Sequence, residues 1–199
     1  HVKIQKSNEE NKTIYAENII IATGSKPRTI PNIDVDEKII MTSDGVDHME
    51  GFPKSMVIVG AGVIGCEYAT IFSNFGKTKV YLIDRSDRIL PFEDSDISDM
   101  ISKNLKEKGV TIHNKAQLER LEVKDGEVEY ELSYKDRKNE VIRVEKALLS
   151  VGRKLCIDGL KMENAGVTLS KRGVHIGDIN TQTNIPNIYV VGDASGHIS

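Results

Sequence analysis

The chain has 199 residues, 39% of them hydrophobic and 29% charged, the composition of an ordinary soluble globular protein with room for one large domain or one and a half small ones. Its net charge of −3 gives no reason to expect nucleic acid or an anionic membrane as partner, and no segment reads as a transmembrane span or a signal peptide. The two cysteines, Cys66 and Cys156, form no CxxC or Cys/His cluster, which argues against structural zinc and a disulfide scaffold and fits a reducing, cytoplasmic compartment.

The first residue is His1, not Met, and a strand-like segment is already under way, so the chain reads as a piece of something longer. Residues 2–6 and 13–22 read as two strands separated by the polar turn Ser7-Asn8-Glu9-Glu10-Asn11. The second ends in Ile19-Ile20-Ile21-Ala22, whose aliphatic run predicts burial on both faces, and runs into Thr23-Gly24-Ser25. Pro27 and Pro31 make 26–31 a connector, since two prolines so close forbid helix or interior strand. A boundary is expected between there and Thr42, after which Ser43 or Asp44 caps a short helix toward His48.

Met56-Val57-Ile58-Val59 is a β-branched run too short for a helix and reads as a strand buried on both faces. It leads into Gly60-Ala61-Gly62-Val63-Ile64-Gly65, from which the apolar spacing switches to helical. Val63, Ile64, Cys66, Ala69, Ile71, Phe72 and Phe75 are expected on one broad face, with Gly76 as the stop. In a strand–turn–helix, the first glycine of GxGxxG permits a sharp turn, the second leaves room for a pyrophosphate, and the third lets the helix approach the sheet. Free N–H groups and the positive helix end then face the phosphates. A second strand, 79–83, ends on Asp84, about 20 positions downstream, where a carboxylate can accept both ribose hydroxyls of an adenine nucleotide. With all three parts present, this outweighs a glycine turn that binds nothing. Cys66 is most simply a small apolar residue on the buried helix face, with a reactive thiol as the minor reading.

A helix follows Ile89-Leu90-Pro91, with Asp94 to Asp96 in its first turn, Ile97, Met100, Ile101 and Leu105 as its apolar stripe and Gly109 as its stop. Residues 110–112 form the third strand. From 118 to 144 the pattern alternates in pieces with turns at Asp125-Gly126 and 136–139, an antiparallel meander with one wet face. Residues 147–152 are again a buried strand ending on glycine. A helical turn over 160–165 and two short strands around Lys171-Arg172-Gly173 follow, then a last strand over 188–191 and Gly192-Asp193.

Four of these stretches resemble one family, the pyridine nucleotide-disulfide oxidoreductases of the dihydrolipoamide dehydrogenase and glutathione reductase type. Ala22-Thr23-Gly24-Ser25-x-Pro27 is similar to the family's ATGSxP crossing out of the FAD domain, and Gly60 to Gly65 with Cys66-Glu67 to its NAD(P) loop. Ser150-Val151-Gly152-Arg153 is similar to its second nicotinamide-side glycine turn, and 187–193 to the strand whose aspartate bonds the ribityl chain of FAD. The resemblance implies an α/β fold: a Rossmann-like three-layer domain, parallel sheet plus antiparallel meander, over 41–152. Strands of an incomplete FAD domain would flank it at 1–40 and 153–199.

Carried over, the resemblance implies that Gly60, Ala61, Gly62, Val63, Ile64 and Gly65 hold the pyrophosphate and Asp84 the ribose. Glu67 would lie near the nicotinamide, unless it is an ordinary first-turn helix carboxylate. Gly152 would pack on the cofactor, while Thr23, Gly24 and Asp193 would touch FAD, unless Asp193 only terminates a strand. Asp84 favours NAD over NADP; Arg85, which could pair a 2′-phosphate, argues the other way, and the balance favours NAD because the acidic residue ends the strand itself. After Arg153 the family's usual proline is replaced by Lys154-Leu155-Cys156, and the family's FAD loop, CxxxxC pair and C-terminal His-Glu pair have no counterpart in these residues.

The leading expectation is therefore the NAD-binding segment of an FAD-dependent flavoenzyme, a homodimer when intact. It would place nicotinamide against flavin, with a disulfide such as lipoamide as substrate and the piece alone inactive. Ile64-Gly65-Cys66-Glu67-Tyr68-Ala69 also resembles a soluble pyridine nucleotide transhydrogenase, and a nucleotide-binding module without turnover is the alternative from another class. A flavin-free dehydrogenase would need a catalytic His or Tyr near Gly152, and His113 and His175 read instead as satisfied structural histidines.

Overall fold

Met56 and Ile58 enter one apolar core while Val57 and Val59 enter another, so alternate side chains of a single strand serve two layers. In the computed structural model, which describes residues 1–5, 10–170, 173–174 and 181–196, this Ser55–Val59 strand is central to a five-stranded sheet. Its neighbours are Lys146–Leu149 on one side and Lys79–Ile83 on the other, with Ile40–Met41 and Thr111–His113 at the edges, and every pairing is parallel. Parallel strands covered on both faces read as unbroken apolar runs, which is why 56–59 shows no alternation.

One face carries helix α2 (Val63–Asn74) and helix α3 (Ser95–Glu107), with Cys66, Ala69, Phe72 and Leu105 packed on Met56, Ile58, Val80, Leu82 and Leu148. The other face carries the meander Gln117–Lys124, Glu127–Ser133 and Glu140–Val144, antiparallel throughout, which lays Leu121, Val128, Tyr130, Leu132 and Val144 on Val57, Val59, Ile83, Ala147 and Leu149. Asp125 and Gly126, both at positive φ, make its first turn. The expected mixed α/β fold, with a parallel sheet and antiparallel strands, is present. These elements belong to the unit Pro27–Gly152.

Several local readings need correction. On α2 the buried stripe is Gly65, Cys66, Ala69, Phe72 and Ser73, while Val63, Ile71 and Phe75 are exposed. A helix lying on one sheet buries a narrow stripe, and Ile71 falls on roughly the opposite side of it. On α3, Leu105 and Ser98 are buried and Ile101 is half-buried, but Ile97 and Met100 face outward. The short helix α1 (Ser43–Val46) is capped one residue earlier than expected, by Thr42, which accepts the Asp44 N–H.

The second unit comprises His1–Lys26 and Arg153–Ser199. Here the expected 13–22 strand divides into Lys12–Ile14, paired with Val2–Ile4, and Ile19–Ile21, paired in parallel with Ile188–Val190. Ile19 and Ile21 join Ile188, Val190, Met162, Val167 and Ala194 in a small core. The expected burial of the Ile19–Ile21 run on both faces fails at Ile20, 68% exposed, because nothing among the described residues covers that side. The turn residues 7–9 and 171–172, and His175, lie outside the described residues.

Candidate functional site

Leaving the Ser55–Val59 strand, Gly60 takes φ +103°, and its N–H donates to Ile83 O at 2.9 Å. A Cβ at this position would come within 3.0 Å of the Ser150 carbonyl, so turn and crowding both demand glycine. Gly62 is the N-cap of α2 and lacks any side-chain cap, and a Cβ built there meets nothing within 4 Å. Its carbonyl accepts the Cys66 N–H at 3.0 Å. Among the described residues nothing accepts the N–H groups of Gly62, Val63, Ile64 or Gly65. Four donors without protein acceptors thus stand at the positive end of a helix, with open space at Gly62, an arrangement suited to an anion.

Asp84, at the end of the Lys79–Ile83 strand, is tied to this loop. Its Oδ2 accepts the Ala61 N–H at 2.7 Å and its Oδ1 the Ser86 N–H at 2.8 Å. A carboxylate has about four lone-pair positions, so both oxygens keep acceptor capacity for hydroxyl groups. The main chain of Asp84 is fixed as well, by N–H donation to His113 O at 3.0 Å and acceptance from Ala116 N–H at 3.0 Å. Arg85 and Glu67 are both exposed, and Glu67 stands in the first turns of α2.

The end of the Lys146–Leu149 strand completes the site from the other side. The Ser150 hydroxyl sits 3.0 Å from Val59 O and 2.8 Å from Gly60 O and donates to this pair of carbonyls. Two residues on, Gly152 has φ +104° and accepts the Arg28 N–H at 2.9 Å. Sequence reasoning quoted Ser150 within a motif and gave it no part. The available signal was a hydroxyl at the carboxyl end of a buried strand next to a glycine turn, where parallel sheets assemble their sites.

In the other unit Thr23, Gly24 and Asp193 stand near a polar cluster that the sequence did not disclose. Ser25 Oγ donates to Asp193 Oδ2 at 2.5 Å, Arg153 Nε donates to Ser25 Oγ at 2.6 Å, and Arg153 Nη2 donates to Ser25 O at 3.0 Å. Gly24 has φ +69° and accepts the Cys156 N–H at 2.9 Å. The Asp193 side chain remains 48% exposed, leaving Oδ1 open. The structure therefore gathers the candidate residues as two groups: the glycine loop, Asp84 and the Ser150–Gly152 turn in one unit, and Thr23, Gly24 and Asp193 in the other.

The titratable groups nearby are structural in character. Burial, reinforced by the Asp84 charge, pushes the Cys66 thiol up to about 12, and its Sγ lies 3.5 Å from Ala61 O. A thiol so rarely ionised is not a nucleophile, in keeping with a small apolar residue. His113 was expected to be fully satisfied, and only one nitrogen is: Nδ1 lies 2.7 Å from the Tyr134 hydroxyl, while buried Nε2 has no partner among the described residues. Burial holds its pKa below the ordinary value. On the wet face of the meander, Lys124, Arg120 and Arg143 hold Glu129 down to about 2. Among the described residues no cluster of His, Cys, Asp and Glu could hold a metal ion, and no helix is long and apolar enough to cross a membrane.

Comparison with known proteins places these features in a family. Residues 1–199 match the family described as pyridine nucleotide-disulphide oxidoreductase. A dihydrolipoyl dehydrogenase of Bacillus subtilis is 37% identical over 183 residues, 92% of this chain and 39% of the relative. A soluble pyridine nucleotide transhydrogenase of Pseudomonas fluorescens is 37% identical over 195 residues, 98% of this chain and 41% of the relative. The Cu(II) complex of an HOCl-induced flavoprotein disulfide reductase of Escherichia coli superimposes with a TM-score of 0.84 at 29% identity, covering 99% of this chain and 43% of that one. The chain thus spans about two-fifths of the length of these relatives.

Proposed function

The chain belongs to the pyridine nucleotide-disulphide oxidoreductase family, and from that premise we propose that its unit Pro27–Gly152 binds NAD(H) for an FAD-dependent oxidoreductase of the dihydrolipoyl dehydrogenase type. The observation that carries the reading is the set of unclaimed N–H groups from Gly62 to Gly65, with open space at Gly62 and Asp84 bonded to the loop at Ala61. These residues fit the group. The amides and helix end would hold the diphosphate, and the free lone pairs of Asp84 the adenosine ribose. Bound NAD(H) supplies the hydride chemistry; this unit's work is to fix the dinucleotide so that its nicotinamide end is presented in one orientation. Glu67 and Gly152 would lie along its nicotinamide half.

We assign NAD rather than NADP because the carboxylate at the strand end would meet a 2′-phosphate with repulsion, and Arg85 offers only an exposed compensation. For FAD, the fit rests on Asp193, whose Oδ2 is held by Ser25 while Oδ1 stays open, and on the backbone at Thr23 and Gly24. We read the second unit as part of the flavin domain. The 199 residues by themselves bind without turnover in this reading, since the two cysteines, Cys66 and Cys156, are both free and lie far apart in the sequence, without the spacing of a CxxxxC pair. The intact protein would act as a homodimer in the cytoplasm on a disulfide such as lipoamide.

A soluble transhydrogenase is the second reading, favoured by identity to such an enzyme at the same 37% as to the dehydrogenase. Calorimetric titration with NADH and NADPH tests the nucleotide assignment. Lipoamide-dependent NADH oxidation by the full-length protein, set against hydride exchange between NADH and a thio-NADP analogue, separates the two enzymes.

A further inference from the structure

We infer that Ser150 is a positioning residue for the dinucleotide loop, acting through one peptide group that it grips together with Asp84. The inference rests on the reading of this loop as the NAD(H) site. The peptide between Gly60 and Ala61 has its carbonyl and N–H on opposite sides. The carbonyl is held by Ser150 Oγ at 2.8 Å, and the N–H is held by Asp84 Oδ2 at 2.7 Å. One peptide plane is therefore pinned at both ends, by side chains from the two strands flanking Ser55–Val59.

The rotation of this plane matters more than that of its neighbours. Gly60 has φ +103°, a conformation open to a glycine, which of all residues is the freest to swing its following peptide. The Gly60 carbonyl lies against Gly65 in the first turn of α2, and a swing would release it from Ser150 and turn the Ala61 N–H away from Asp84, shifting the loop that carries the free amides of Gly62 to Gly65. The hydroxyl keeps that carbonyl in its place against Gly65. Packing agrees: a Cβ on residue 65 would meet Ser150 Oγ at 2.8 Å and would overlap Gly60 O, so the hydroxyl, the carbonyl and the first turn of α2 occupy one tight layer. The Ser150 amide also donates to Val59 O at 2.8 Å, which fixes the residue from its own main chain, while the hydroxyl is shared between Val59 O at 3.0 Å and, closer, Gly60 O at 2.8 Å.

The test is Ser150→Ala in the full-length, flavin-loaded protein. Calorimetry with NAD and with ADP-ribose gives the affinity, and stopped-flow reduction of the flavin by NADH gives the saturating rate. Loss of one neutral hydrogen bond that sets the loop predicts a Kd raised about three- to tenfold for both ligands. The saturating rate stays within about twofold of the parent, because the nicotinamide end is unaltered once bound. An unchanged Kd overturns the inference. So does a fall in affinity and saturating rate together with a lowered Tm, which would make Ser150 a packing residue only. Should Ser150→Ala not fold, Ser150→Cys, close in size but a weaker donor, is judged by the same criteria. Failure of the parent itself to bind either ligand would defeat the reading of the site, and this inference with it, and is seen before any variant is made.

Discussion

The carbonyl oxygen of Gly60 fills the space that a Cβ on residue 65 would need. The obstacle is main chain at the end of a buried strand and cannot step aside as a flexible side chain would. Gly65→Ala must push α2 off the sheet or break the hold of Ser150 on Gly60. Overpacking of this kind costs about 1–3 kcal/mol, so the variant is expected to unfold at lower denaturant and to bind NADH more weakly. Parent-like midpoint and affinity would show that the helix can retreat freely.

Gly62 predicts the opposite pattern. It has φ −75° and ψ −170° with nothing near its missing side chain, so Gly62→Val fits the fold. Replacing an N-cap glycine by a β-branched residue costs up to about 1 kcal/mol. The valine methyls instead occupy the ground where the diphosphate would rest. NADH affinity falls at least about tenfold while thermal stability moves little. The two glycines, three positions apart, thus separate folding from binding.

Asp84 carries two duties. A charge-assisted bond to a ribose hydroxyl is worth about 1.5–3 kcal/mol, or about one to two decades of affinity. Asp84→Ala is expected to lose that amount for NADH, and the NADH to NADPH preference narrows because the repulsion goes too. It also frees the Ala61 and Ser86 N–H groups, so in a double-mutant cycle with Ser150→Ala the two losses are less than additive. Strict additivity would mean that the shared peptide does not couple them.

His113 makes stability depend on pH. Burial lowers its folded pKa below the ordinary 6.5, with Glu140 opposing and Arg137 assisting. The unfolded chain therefore takes up the proton first as pH falls. The contribution of His113 is complete above about 6.5 and is lost progressively on acidification toward the folded value. Urea midpoints measured from pH 8 to pH 5 should fall with a slope that His113→Phe flattens; an equal slope in both proteins contradicts this.

Much of the unit Pro27–Gly152 was legible because its signals are local. Strand, glycine turn, helix and acidic strand end are read from residues close in sequence, and Gly60 and Gly65 each carry a distinct steric demand. Helix faces were less legible. Val63, Ile71 and Phe75 in α2, and Ile97 and Met100 in α3, are apolar yet exposed, since periodicity counts apolar residues without knowing how wide a stripe one sheet can cover. Contacts between distant strands were not legible at all. Ser150 reaches Gly60 across 90 positions and Ser25 reaches Asp193 across 168, pairings that only the folded topology creates.

The most direct test of the account is a calorimetric titration of the protein with NADH, repeated with NADPH and with the Gly62→Val variant. Saturable binding of one NADH per chain, at least about tenfold weaker NADPH, and loss of NADH binding in Gly62→Val are predicted. No saturable heat with either nucleotide, or binding indifferent to Gly62→Val, would contradict it.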